Sequence, residues 1–126
     1  MAKIHVEPDC GNAPKKLFIR DFMIAAANND ASFILDALTD DILWKMVGNR
    51  SFAGKSAIES ALDTVVKTNV QEMTIATIIT HGDAGSADGT MRLNDGKRYG
   101  FCHVFIFNSH GKNAKIKQIT SYVIKD

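Results

Sequence analysis

No run of this chain is apolar for long enough to cross a bilayer, which takes about 20 residues, and Met1 to Asn12 carries no charged-then-apolar leader pattern. Cysteine is scarce. Cys10 and Cys102 have neither metal nor redox spacing, so they read as reduced thiols of a cytoplasmic protein. An excess of one charge is missing too: 15 Lys and Arg against 14 Asp and Glu leave a net charge of +1, spread along the chain. That balance excludes the basic face of a nucleic-acid binder and the cationic patch of a membrane-surface protein. Of the histidines, His81, His103 and His110 lack ligand spacing and His5 lies in the opening segment, so neither a zinc site nor a cofactor is expected. Ser121 has no elbow glycines, which removes support for acyl transfer. Gly82, Gly85 and Gly89 precede no helix, which excludes a phosphate-binding loop. There are no repeats, low-complexity tracts or linkers.

What is present fits one globular domain. The chain has 126 residues, 45% hydrophobic and 23% charged, the balance of an ordinary soluble protein with a single core. Residues 1–13, with Pro8 and Gly11, read as a loose arm, and 14–126 as the domain. Pro14 suits the first turn of a helix running through Lys15 to Asn28, with Phe18, Phe22, Ala25 and Ala26 as its inner stripe. Asn28-Asn29-Asp30 ends that helix and starts a second, Ala31 to Leu38. Thr39-Asp40-Asp41 reads as a turn, and Ile42 to Val47 as a short strand. Gly48-Asn49 turns the chain into Arg50 to Ala53. Gly54-Lys55-Ser56 opens a third helix striped by Ile58, Ala61, Leu62, Val65 and Val66. After Asn69 the period changes to two. Glu72 to His81, Ser86 to Leu93, Lys97 to Phe107 and Lys115 to Ile124 read as four strands, with turns at Asp83-Ala84, Asp95-Gly96 and Ser109 to Asn113. Helices first and a long antiparallel sheet after them describe an α+β fold.

One strand carries the functional signal. In Tyr99 to Phe107, Tyr99, Phe101, His103, Phe105 and Phe107 fall on one face, and Cys102, Val104 and Ile106 on the other. Both faces are apolar, so both must be covered, one of them by something other than the chain's own helices. A histidine among four aromatics either bonds a core neighbour or sits at the edge of a pocket, because an unpaired buried imidazole is costly.

Ala27-Asn-Asn-Asp30, Leu38-Thr-Asp-Asp41, Phe52-Ala-Gly-Lys55 with Ala57-Ile58, His81-Gly-Asp83 and Ser121-Tyr122, taken in order over residues 14–125, resemble the nuclear transport factor 2-like superfamily, in particular its SnoaL-like and ketosteroid-isomerase-like members. The resemblance implies a cystatin-like cone in which a curved sheet wraps helices around an apolar pocket. It also implies a homodimer through the outer face of the sheet. It leaves function open, because the superfamily holds isomerases, cyclases, epoxide hydrolases, dehydratases and binding modules. Matched to the ketosteroid isomerases, their oxyanion tyrosine falls on Phe22, their base aspartate on Met46 and their protonated aspartate on His103. Phe22 can neither donate nor accept, and Met46 cannot take a proton, so that isomerisation mechanism is not available. Nor do two inward carboxylates bracket an arginine, as the epoxide-hydrolase pattern needs.

Two-residue turns at Asp83-Ala84 and Asp95-Gly96 would set Ile79 opposite Asp88, Asp88 opposite His103 and Arg92 opposite Tyr99. A His103–Asp88 pair facing an apolar pocket is a candidate general base, although a one-residue change in either turn sends Asp88 to the other face. Trp44, the single tryptophan, is either a core aromatic or a pocket wall, and Tyr122 either points its hydroxyl inward or packs at the sheet edge. The expected lining is Phe18, Phe22, Trp44, Met46, Phe101, His103, Phe105 and Tyr122. Two functions fit: a SnoaL-like binder of a small hydrophobic molecule, acting as a cyclase-, isomerase- or dehydratase-type enzyme through His103, or a catalytically silent binding or dimerisation module.

Overall fold

The structure, a computed structural model, describes residues 2–7, 14–65, 70–109, 111 and 113–126, with the side chains of 63–65 left out. Pro8, Cys10, Gly11, His110 and Val66, and the side chain of Val65, therefore lie outside the described residues. In chain order the elements are β1 (Lys3–Val6), α1 (Pro14–Ala27), α2 (Ala31–Asp36), β2 (Leu38–Met46), β3 (Ser51–Ala53), α3 (Lys55–Val65), β4 (Val70–His81), β5 (Ala84–Leu93), β6 (Arg98–Phe107) and β7 (Ile116–Lys125). The strands form one curved seven-stranded sheet in the order β1-β4-β5-β6-β7-β2-β3, and the three helices pack on its concave side.

Local chemistry explains the helical half. Pro14 is the first residue of α1, where its missing N–H costs nothing. The helix ends at Asn29, which takes the left-handed conformation at φ 59°. Asp30 N–H then bonds the Ala25 carbonyl at 2.8 Å and Asn29 N–H the Ala26 carbonyl at 3.3 Å, the paired bonds of a Schellman ending. The Asp30 carboxylate accepts from Phe33 N–H at 3.2 Å and so caps α2. One tripeptide closes the first helix and opens the second. Helix α2 is shorter than its apolar pattern suggests. Leu38 leaves it to pair with Ile116, and the stretch read as a turn at Thr39-Asp40-Asp41 instead belongs to β2, with a register shift before Leu43.

The sheet is mixed. Its centre is antiparallel, but β1 runs parallel to β4 (Ile4 beside Met73) and β2 parallel to β7 (Trp44 beside Ile119). Lys3–Val6 falls inside the segment expected to be a loose arm. It is a paired edge strand, held further by Ala2 N–H to the Asn28 side chain at 3.1 Å and by His5 to Glu72 at 2.8 Å.

Both hairpins depart by a residue from the expected turns. In the first, the two turn residues are Gly82-Asp83, with His81 opposite Ala84 and a positive φ at Gly82, the first central position, as a type II′ turn requires. In the second, Leu93 N–H bonds the Lys97 carbonyl and Gly96 N–H the Leu93 carbonyl, both at 2.9 Å. Gly96, at φ 88°, is thus the left-handed third residue of a three-residue loop, Asn94–Gly96, and not the second of a two-residue turn. This single residue sets the register of β5 against β6: Ala87 stands opposite His103, Asp88 opposite Cys102, and Arg92 opposite Arg98.

The core lies between the helices and the concave face. Ile19, Phe22 and Met23 of α1 and Ile34 of α2 meet Ile75, Ile78, Ala87, Phe105, Phe107 and Ile119 from the sheet. Gly85 allows this closeness, because a Cβ there would come within 2.6 Å of Ile19 Cδ1.

Candidate functional site

At one end of the concave face the packing is incomplete and leaves a cavity of about 160 Å³. Helix α1 contributes Met23, Ala26 and Ala27, and α3 contributes Ile58, Ala61 and Leu62. The strands supply Trp44, Met46, Phe52, Val70, Met73, Met91, Phe101, His103 and Val123. Small side chains, Ala26 and Ala27 on α1 and Ala61 on α3, face the sheet at this end. Among the described residues His103 is the one titratable side chain in this wall.

His103 is held on three sides. Its ring stacks on Phe101 at 5.2 Å between centroids and lies 6.2 Å from Phe105. Nδ1 is 2.7 Å from Ser121 Oγ, across the β6–β7 pair in which the two residues stand opposite. Ser121, only 1% exposed, also accepts from Trp44 Nε1 at 2.9 Å. Ser121 stands beside Met46 on β2, and Trp44, two residues earlier on that strand, reaches it diagonally, so that tryptophan, serine and histidine of three adjacent strands form one hydrogen-bonded chain. Part of the imidazole surface remains open to the cavity, yet protein surrounds it closely enough that burial pushes its pKa from 6.5 down to about 4. At neutral pH the ring is uncharged.

The structure brings together only some of the residues expected at the site. Trp44, Met46, Phe101 and His103 line the cavity. Phe22 and Phe105 do not: they are buried in the core, in an edge-to-face pair at 5.8 Å, with Phe22 supporting Trp44 from behind at 6.0 Å. Phe18 packs on Phe33 and Phe107, away from the cavity. Tyr122 is opposite Cys102 on the convex face and 43% exposed.

The proposed His103–Asp88 pair does not form. Asp88 shares the convex face with Cys102, where its charge, after burial, helps to raise the thiol pKa. The one-residue loop change at Gly96 turned it outward. What stands across from His103 is Ala87 on one side and Ser121 on the other.

Of the methionines, sequence reasoning named only Met46 as a lining residue. Four of the five, Met23, Met46, Met73 and Met91, line the cavity, and Met73 and Met91 stand opposite each other on β4 and β5. Methionine is the residue best suited to an adaptable apolar wall, and that concentration was a usable signal. Among the described residues no three His, Cys, Asp or Glu side chains gather as a metal ion would need.

No protein-family model and no curated protein sequence matches the chain. Solved structures do. An NTF2-like protein of unknown function from Cytophaga hutchinsonii superposes with a TM-score of 0.67 at 21% identity, covering 86% of this chain and 97% of that one. The fold is nuclear transport factor 2-like. A ketosteroid isomerase-like protein from Kribbella flavida gives a TM-score of 0.73 at 10% identity over 90% of this chain and 79% of its own. An LEH-like epoxide hydrolase from M. tuberculosis gives 0.68 at 22% identity, over 84% and 79%. Identities this low establish the nuclear transport factor 2-like fold and leave activity to the residues of the site.

Proposed function

We propose that this chain is a small-molecule-binding protein whose ligand enters the apolar cavity and meets His103 as its main polar contact. The observation that carries this reading is the wall itself: flexible methionines, aromatics and small alanines around one imidazole that is anchored by Ser121. Specific pockets combine mostly apolar walls with a few fixed polar groups in this way. Binding without turnover is favoured over catalysis by His103 as a base. With its pKa down at about 4 the imidazole is a poor proton acceptor at neutral pH, and among the described residues no carboxylate lines the cavity beside it.

The test uses Trp44, the only tryptophan, as reporter. Titration with small apolar compounds should change its emission, and Ala26→Leu, which fills part of the cavity, should weaken the same compounds. Binders detected by calorimetry that leave both Trp44 emission and the Ala26→Leu response untouched would place the binding site elsewhere.

The outer face of the sheet supports a second part of the proposal, a homodimer. Ile79, Tyr122 and Ile124 are 59%, 43% and 71% exposed, and they flank half-buried Cys102, Val104 and Ile106. A patch of this kind on a sheet calls for a cover, and a second copy brings a matching one. Light scattering at micromolar concentration should report a dimer, and Ile124→Lys with Val104→Lys should convert it to a folded monomer. A monomeric wild type refutes it.

A further inference from the structure

We infer that Trp44 and Ser121 decide which nitrogen of His103 carries the proton, and that the cavity consequently selects neutral molecules of about single-ring size bearing a hydrogen-bond acceptor, such as a carbonyl oxygen. This deepens the binding reading above and rests on it.

The argument is an accounting of protons. An indole N–H can only donate, so Ser121 Oγ accepts from Trp44. The hydroxyl has one proton of its own, and Ser121 is buried with no other side-chain partner among the described residues. If His103 Nδ1 also donated to Oγ, two N–H groups would converge on one oxygen and the serine proton would be stranded in the core. Satisfying all three groups requires the serine to donate to Nδ1. A neutral imidazole that accepts at Nδ1 carries its proton on Nε2. Nε2 has no partner among the described residues, and the ring borders the cavity.

Ser121 is thus a positioning residue, and the chain Trp44→Ser121→His103 ends in a donor. Among the described residues every other lining side chain is apolar or, in Trp44, already committed. The wall therefore offers, among the described residues, one side-chain donor and, beyond the weakly accepting methionine sulfurs, no free side-chain acceptor. A hydroxyl that must donate finds only weak sulfur acceptors among the described side chains, and an anion would lose its hydration for one neutral contact. A single ring fits the space: about 160 Å³ is close to the roughly 150 Å³ apolar cavity that holds benzene.

Two measurements decide it. Long-range nitrogen–proton NMR of the histidine rings in the wild-type protein should show His103 with its proton on Nε2. A proton on Nδ1 overturns the inference whatever the cavity binds, and this readout needs no variant. Acetophenone and ethylbenzene, nearly equal in shape, then differ by one acceptor. Acetophenone should bind roughly threefold to tenfold more tightly, the range of one neutral hydrogen bond. In Ser121→Ala the preference should disappear and the ring should populate both tautomers. Equal binding of the two probes by the wild type overturns the inference and leaves the binding reading standing. Binding of neither overturns both. An unchanged tautomer and unchanged preference in folded Ser121→Ala would remove Ser121 from its positioning role.

Discussion

Acid should destabilise this protein through His103 before its carboxylates titrate. The imidazole has an ordinary pKa of 6.5 when unfolded and about 4 in the fold, where burial opposes its charge. Between those values the unfolded chain binds a proton that the native state refuses, so stability falls as pH falls. Above pH 6.5 both states are neutral there and the effect vanishes; well below pH 4 both are charged and the loss is complete. At 1.36 kcal/mol per pKa unit the full penalty is about 3 kcal/mol, and about 2 kcal/mol of it is present by roughly pH 5. Against a typical total of about 5–15 kcal/mol this is readily measured. Urea unfolding of the wild type at intervals from about pH 7.5 to about pH 5 should show the midpoint falling with an unchanged slope. His103→Gln keeps a polar group near Ser121 and cannot titrate, so its curve over the same window should lack that component. If the two proteins lose stability in parallel, the imidazole is not protected from protonation in the way described.

Other perturbations have equally definite outcomes. Gly89→Ala should cost about 3 kcal/mol by urea unfolding, because the new Cβ would meet the Thr74 carbonyl oxygen at 1.9 Å and the Phe101 ring at 3.0 Å. Asp30→Ala removes the cap of α2 and should lower stability by about 1 kcal/mol in thermal melts, while the Schellman bonds, made by backbone, persist. Asp88→Asn should leave ligand affinity unchanged in calorimetry, since Asp88 faces away from the cavity beside Cys102.

Much of the fold was legible wherever the signal is local. Asn28-Asn29-Asp30 announced both a helix end and a helix start, and the alternation from Tyr99 to Phe107 correctly assigned its faces. What escaped depends on distant partners. Lys3–Val6 is four residues long, and its strand character comes from β4, nearly seventy positions away. The hairpin at Asp95-Gly96 admits either a two- or a three-residue loop, and the choice inverted Asp88. Periodicity also shows that Phe22 and Phe105 point inward, but not whether the space there is filled. The core fills around those two and stays open around Trp44, Met46, Phe101 and His103. Ser121 gave no sign of its place, because its two partners belong to different strands.

The strand order has a consequence for synthesis. β7 lies between β6 and β2, so the sheet partner of Trp44 is Ile119, made seventy-five residues later. On the ribosome the helices and the β2–β3 hairpin emerge first, with nothing to dock against on that side. They must wait, exposing Leu38, Ile42 and Trp44, until the final strand arrives and joins two parts of the sheet at once. Closing so long a loop is slow relative to local pairing. A nascent chain stalled before residues 116–125 therefore lacks the strand that joins β2 to β6, and such a chain should be a client for chaperones.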